Sequence, residues 1–62
     1  MAEMFNKVFD EVMEENDLEN WYELFDSDEF GEVEERVSSL LGYDCWDNDE
    51  FCDWVYYMSM SL

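Results

Sequence analysis

Apolar side chains recur at steps of three and four residues along the first segment of the chain, which predicts an amphipathic helix over Ala2–Glu15. The predicted buried face consists of Met4, Phe5, Val8, Phe9, Val12 and Met13. The opposite face carries the carboxylates Asp10, Glu11, Glu14 and Glu15. This helix would present one apolar face to a core and one acidic face to solvent.

A second, short helix is predicted to follow after a tight turn. Asn16 and Glu19 have the spacing of a capping box, in which the two side chains accept hydrogen bonds from each other's backbone N–H groups. The apolar stripe of this helix would be Leu18, Trp21, Tyr22 and Phe25.

A third helix is predicted from another start signal, at Asp26 and Ser27 with Glu29. Its apolar pattern consists of Phe30, Val33, Val37, Leu40 and Leu41. Gly31 weakens the pattern near its start. Gly42 is predicted to end the helix, because glycine readily adopts the left-handed conformation of a C-cap.

The C-terminal segment fits two patterns. Residues 43–46 are predicted as a loop, and Asp47 with Glu50 forms another capping box. As a helix, the segment places Phe51, Trp54, Val55 and Met58 on one face. As a strand, Trp54, Tyr56, Met58, Met60 and Leu62 alternate with Val55, Tyr57, Ser59 and Ser61. We favour a helix to about Met58, because a lone strand over 54–62 would have no partner except a second copy of the chain.

Length and composition limit both fold and function. The 62 residues are 48% hydrophobic and 19% aromatic, well above the level of disordered chains. We therefore expect a single domain, residues 1–62, that is mainly α and forms a small bundle of three to four short helices. Such a domain buries roughly 60% of its unfolded surface, so its core is small. A cleft between paired carboxylates, as glycoside hydrolysis needs, is not expected, and we predict that the chain is not an enzyme.

The aromatic side chains are expected to fill the core, since a small domain needs large side chains to bury enough area. They are Trp21, Tyr22, Phe25, Trp46, Phe51 and Trp54. The C-terminal run has more apolar surface than one helix face can hide. Tyr56, Tyr57 and Met60 are therefore candidates for a homodimer contact or for a hydrophobic anchor on a partner.

The charge balance excludes several kinds of ligand. The chain has 19 Asp and Glu, only Lys7 and Arg36 as cations, and no His, for a net charge of −17. Direct nucleic-acid binding is excluded, and an anionic membrane is disfavoured, because both need Lys and Arg. No cofactor or specific metal site is expected, although the carboxylates of residues 44–53 could attract divalent cations loosely. The chain lacks a signal-peptide pattern and an apolar span, so we expect a cytoplasmic location.

Two cysteines, Cys45 and Cys52, lie seven residues apart. A single disulfide is one interpretation. Without a secretory signal, we favour two thiols that pack as small hydrophobic side chains.

Most carboxylates lack an oppositely charged neighbour on the predicted helices. Favourable pairs at four-residue spacing are Glu3 with Lys7 and Glu32 with Arg36. Like-charged pairs at that spacing are Asp10 with Glu14, Glu11 with Glu15, Glu19 with Glu23, and Asp28 with Glu32. Each like-charged pair costs roughly 0.2–0.5 kcal/mol. A small domain whose charge served solubility alone would have a net charge of roughly 2 to 8 in magnitude. The additional negative charge of this chain therefore indicates a second role for the carboxylates.

The density of the charge suggests what this role is. Duplex DNA carries about one negative charge per 1.7 Å of axis, so 17 charges correspond to about 29 Å of duplex. A compact chain of this length has an expected diameter of about 27 Å. Such a body would present a DNA-binding protein with a potential like that of its natural ligand.

The chain is small and acidic, has many aromatic residues and contains no His or Pro. It also has acidic segments such as DEVMEEND (residues 10–17) and DSDEFGEVEE (residues 26–35). In these features it resembles the phage-encoded DNA-mimic proteins that block host defence, including anti-restriction and anti-CRISPR proteins. The resemblance lies in composition and layout over the whole chain. It implies inhibition of a CRISPR effector or restriction enzyme by occupation of its DNA site. The partner would be a basic DNA-binding protein or nucleoprotein complex in the cytoplasm of an infected bacterial cell.

The candidate partner-binding carboxylates lie mainly in the central region of the chain. They are Asp10, Glu11, Glu14, Glu15, Glu19, Glu23, Asp26, Asp28, Glu29, Glu32, Glu35, Asp47, Asp49 and Asp53. An alternative function, as an acidic interaction module or antitoxin-like protein that neutralises a basic partner unrelated to DNA, would give nearly the same sequence. Competition by duplex DNA for the partner separates the two functions.

Overall fold

The computed structural model describes residues 2–61, and this part of the chain contains four α-helices and one 3₁₀ turn but no strand. The helices are α1 (Ala2–Glu15), α2 (Trp21–Phe25), α3 (Phe30–Leu41) and α4 (Asp49–Met60), and the 3₁₀ turn spans Cys45–Asp47. The prediction of a mainly α chain that forms a small helical bundle is confirmed.

Helix α1 is the centre of the bundle and packs against both α3 and α4. The rings of Phe9 on α1 and Phe30 on α3 lie 6.4 Å apart, and those of Phe5 and Phe51 on α4 lie 5.3 Å apart. The predicted apolar face of α1 is confirmed, because Phe5, Val8, Phe9 and Val12 are buried and Met4 and Met13 pack against them. All three long helices therefore share one core.

Asn16 ends α1, so the prediction that it opens the second helix is wrong. The Asp17 N–H donates to the carbonyl of Glu14 at 3.2 Å, and the Leu18 N–H donates to the carbonyl of Met13 at 3.0 Å. Asp17 has a φ of 57°, in the left-handed region. These features define a Schellman C-cap, which Asp can form because its short polar side chain tolerates this conformation.

Helix α2 has only five residues and buries a residue that the sequence pattern missed. Leu24 is fully buried, whereas Tyr22, predicted to be core, is 46% exposed. Trp21 and Phe25 are partly buried, and Leu18 packs against the core from the turn before the helix. Because α2 begins at Trp21 and not soon after Asn16, its inward face differs from the predicted stripe.

Helix α3 begins later and ends where predicted. Asp26 belongs to the end of α2, where its N–H donates to the Tyr22 carbonyl at 3.0 Å, so the predicted start at Asp26 and Ser27 is wrong. Gly42 is confirmed as the C-cap, with a φ of 83° and an N–H that donates to the Ser38 carbonyl at 2.8 Å. Leu40 departs from the apolar pattern and is 62% exposed.

Helix α4 is capped by Asn48 instead of the predicted Asp47. The Oδ1 of Asn48 accepts a hydrogen bond of 2.9 Å from the Phe51 N–H, while Asp47 belongs to the 3₁₀ turn. The predicted helical face is confirmed, with Phe51 and Trp54 buried and Val55 and Met58 packed against the core. The alternative strand over 54–62 is wrong for residues 54–61, because the helix continues to Met60; the last residue of that pattern, Leu62, lies outside the described residues.

Candidate functional site

The carboxylates lie on the surface. Glu34 is partly buried, and every other Asp and Glu is exposed, including all of the candidate partner-binding residues. The body measures 28 × 24 × 20 Å. The acidic side chains therefore cover a compact helical particle, and the structure distributes them over all four helices and the turns between them.

One group of carboxylates follows the outer face of α1. Asp10, Glu11 and Glu14, here called the α1 ridge, line a shallow groove of about 450 Å³ together with residues from the preceding turns. Glu14 lies in the last turn of α1, where no basic residue is present. The C-terminal end of a helix carries partial negative charge, so a carboxylate there is locally unfavourable.

Arg36 lies close to three carboxylates at the boundary between α1 and α3, one of which, Glu11, also belongs to the α1 ridge. Its guanidinium donates two hydrogen bonds of 2.6 Å to Glu15, and its nitrogens lie 3.5 Å from Glu32 and 4.0 Å from Glu11. Every ion pair between residues 2 and 61 involves Arg36. The hydrogen bonds from Arg36 lower the pKa of Glu15, and the same contacts raise the pKa of Arg36. Glu15 and Glu32 thus have a structural role in addition to their surface charge.

The sequence pattern identified the Glu32–Arg36 pair, which is one helical turn apart. It missed the stronger contact with Glu15, because these residues are 21 positions apart and only the packing of α3 on α1 brings them together. The apolar stripe of α1 already indicated which side would face a neighbouring helix. The prediction that Glu15 lies on the face opposite to the apolar stripe is wrong. Glu15 follows the buried Val8 and Val12 at seven and three residues, which places it beside the stripe, and this spacing was the available signal.

Several other candidate carboxylates occupy places that stabilise helices. Glu23, Glu32 and Asp49 lie in the first turns of α2, α3 and α4, where the partial positive charge of the helix end favours them. The remaining candidates lie on other elements of the chain and are exposed. They are Glu19, Asp26, Asp28 and Glu29 around α2, Glu35 on α3, Asp47 in the 3₁₀ turn, and Asp53 on α4.

Large apolar side chains are also exposed. Tyr56, Tyr57 and Met60, at the end of α4, are 61%, 68% and 66% exposed, and the two tyrosine rings lie 5.9 Å apart. Trp46 is 45% exposed, so its prediction as a core residue is wrong. Its indole lies nearly perpendicular to the ring of Phe51, with an interplanar angle of 84° and ring centroids 5.0 Å apart.

Both cysteines are free thiols, with Cys45 buried and Cys52 partly exposed. Burial raises the pKa of the Cys45 thiol, and the nearby carboxylates of Glu34 and Asp44 raise it further. Between residues 2 and 61, no three Asp, Glu or Cys side chains converge in a way that could hold a metal ion. Within the same range, none of the helices has the length and apolarity needed to cross a membrane.

Comparison of the chain with models of known protein families, with curated proteins and with solved structures finds no match.

Proposed function

We propose that the protein is a DNA-mimic inhibitor that occupies the DNA-binding site of a host defence complex, either a CRISPR effector or a restriction enzyme. The observation that carries this proposal is the ratio of charge to size. A net charge of −17 on a body 28 Å long corresponds to about one charge per 1.6 Å, compared with about one per 1.7 Å for duplex DNA.

The α1 ridge supports the proposal because local stability does not account for it. Asp10 and Glu14 repel each other at four-residue spacing, and Glu14 faces the unfavourable end of the helix dipole. Contact with a basic protein would convert this repulsion into attraction. The ridge therefore has the properties of a surface that is stabilised only in a complex.

In the proposed mechanism, electrostatic attraction first steers the protein to the DNA-binding channel of the enzyme, and the protein then occupies that channel. A strongly acidic particle accelerates its association with a basic channel, and the channel cannot then accept DNA. The shared core of α1, α3 and α4 holds the carboxylates on a folded scaffold. Tyr56, Tyr57 and Met60 would add an apolar anchor outside the phosphate-like surface. The setting implied by this mechanism is the bacterial cytoplasm during phage infection.

The proposal is tested by assaying DNA cleavage by a panel of purified CRISPR effectors and restriction enzymes with the chain present. We expect inhibition of at least one enzyme, and the inhibition should weaken steeply between about 50 and 200 mM salt. A polyglutamate peptide of 17 residues matches the net charge without the fold, and it should inhibit much less.

The test variant replaces Asp10, Glu14 and Glu29 with Lys, which reverses the charge at each position. It spares Glu15 and Glu32, because their loss would break the contacts with Arg36 and confuse unfolding with loss of binding. Circular dichroism should show unchanged helix content, and inhibition should be lost. Full inhibition by this folded variant would contradict the proposal.

A flat salt response would show that apolar contacts and not charge lead the binding. Binding that duplex DNA does not compete away would favour the alternative function, an acidic module whose basic partner is unrelated to DNA. The exposed group of Tyr56, Tyr57 and Met60 is the observation that favours that alternative, because DNA presents no equivalent apolar surface.

A further inference from the structure

A groove of about 630 Å³ lies between α3 and the segment that connects it to α4. One wall is α3, from Gly31 to Ser39, and the other wall is the segment from Tyr43 to Trp46. A Cβ atom at Gly31 would meet nothing within 4 Å, so this end of the groove is open. The groove is separate from the α1 ridge, which lies on another helix.

The two walls are held at a fixed separation. The backbone N–H of Cys45 donates to the Ser38 hydroxyl at 2.9 Å, and the Trp46 indole N–H donates to the Oε2 of Glu34 at 3.0 Å. The Asn48 side chain donates to the Tyr43 hydroxyl at 2.8 Å. These bonds, together with the edge-on contact of Trp46 with Phe51, keep both aromatic rings in place.

The rings are nevertheless about half exposed: Tyr43 is 47% and Trp46 is 45% exposed. A fixed indole that is about half exposed is a favourable surface for a cation, because the face of the ring carries partial negative charge. Neither cation of the chain occupies it. Arg36 binds carboxylates at the boundary with α1, and Lys7 lies on α1 itself.

Carboxylates surround the same rings. Glu34, Glu35 and Asp44 line the groove, and Glu34 is the least exposed carboxylate of the protein. Its Oε2 accepts the indole N–H, while its Oε1 accepts no hydrogen bond from residues 2–61. The shallow groove thus combines aromatic surface, negative charge and an available acceptor in one place.

From this combination we infer that the groove binds an arginine side chain of the basic partner, with the guanidinium stacked on Trp46 and hydrogen-bonded to Glu34. The inference rests on the proposed function in one respect, namely that the partner is basic. Arginine fits better than lysine, because the planar guanidinium stacks on an aromatic ring while its N–H groups still reach a carboxylate.

The test is a titration of the ¹⁵N-labelled full chain with the tripeptide acetyl-Gly-Arg-Gly-amide, followed by NMR. The indole N–H signal of Trp46 should shift and saturate, while those of Trp21 and Trp54 should move much less. The peptide with lysine should bind at least about threefold more weakly. The peptide with citrulline, which keeps the shape of arginine without its charge, should cause no saturable shift.

Glu34→Gln is the informative variant, because its amide oxygen can still accept the indole N–H while the negative charge is lost. We expect it to weaken binding of the arginine peptide by about tenfold. Glu3→Gln is the matched control, since it removes the same charge from an exposed residue of α1 that does not line the groove, and it should leave the affinity within about twofold.

Equal losses in the two variants would overturn the inference, since they would show general attraction to the acidic surface. An equal response to the citrulline peptide, or a Trp46 signal that does not move, would overturn it as well. None of these results affects the proposed inhibition of DNA cleavage, which depends on the α1 ridge and is measured separately.

Discussion

Arg36 of α3 donates two hydrogen bonds of 2.6 Å to Glu15, the last residue of α1. The contact places a cation beside the negative end of the α1 dipole and neutralises a carboxylate in an unfavourable position. It also joins the two helices across 21 residues of chain. One of the two cations in the sequence therefore serves the fold. It reaches Glu11 of the α1 ridge at 4.0 Å, while no ion pair within residues 2–61 involves Asp10 or Glu14.

The Glu15–Arg36 contact should give stability a specific pH dependence. Arg36 lowers the pKa of Glu15 below its ordinary value of 4.5, so its stabilisation is complete above that pH and is lost as the pH falls through the folded pKa. The melting temperature of the wild type should exceed that of Glu15→Gln at pH 7, and the difference should shrink below pH 4.5. Comparing the two chains removes the general effect of protonating other carboxylates. A difference that is constant across this range would contradict the assignment.

Phe51→Ala should remove a large part of the free energy of unfolding. Phe51 is fully buried and contacts the rings of Phe5, Trp46 and Trp54 at 5.0–5.7 Å. Such a truncation costs about 3–5 kcal/mol, while a domain of this length has a total stability of about 3–9 kcal/mol. The control is Leu40→Ala, which changes a 62% exposed side chain and should cost less than about 0.5 kcal/mol. Circular dichroism during urea unfolding measures both, and similar losses would argue against this core.

Asn48→Ala should destabilise the protein by about 1–2 kcal/mol, because it removes the acceptor of the Phe51 N–H at the start of α4. Asp47→Ala should have little effect on stability, since Asp47 lies in the 3₁₀ turn and does not cap this helix. Thermal unfolding of the two variants compares the structural cap with the one predicted from the sequence. A larger loss for Asp47→Ala would restore the sequence prediction.

The two thiols should react at different rates. Cys45 is 1% exposed and burial raises its thiol pKa, whereas Cys52 is partly exposed. At pH 8 a thiol reagent should label Cys52 at least about tenfold faster than Cys45. Cys52→Ser should remove the fast phase, and Cys45→Ser should retain it. The opposite pattern would show that the packing around the 3₁₀ turn is different.

The sequence predicted those parts of the fold that depend on a long periodic pattern or on a single decisive residue. Helix α1 has the predicted bounds, and Gly42 ends α3 as predicted, because few residues other than glycine adopt its backbone conformation. The inward face of α4 was also predicted, since Phe51, Trp54, Val55 and Met58 recur at helical spacing.

Helix starts were less predictable, because Asn, Asp and Ser can bond to the backbone at either end of a helix. Asn16 therefore ended α1 instead of opening α2, and Asn48 instead of Asp47 capped α4. Residues whose environment depends on tertiary packing were also missed: Leu24 in a single-turn helix, exposed Trp46, and the Glu15–Arg36 contact. The exposure of the acidic residues could be predicted from their charge alone. Which of them lie together could not, because that depends on how the helices pack.

The central claim is that the protein and duplex DNA occupy the same site on a defence enzyme, so mutual exclusion is its most direct test. Fluorescence anisotropy of the labelled chain would be measured on an inhibited enzyme while unlabelled duplex containing the target site of that enzyme is added. Our account predicts complete displacement, with an apparent Kd of the chain that rises in proportion to the duplex concentration. A chain that remains bound at saturating duplex would contradict it.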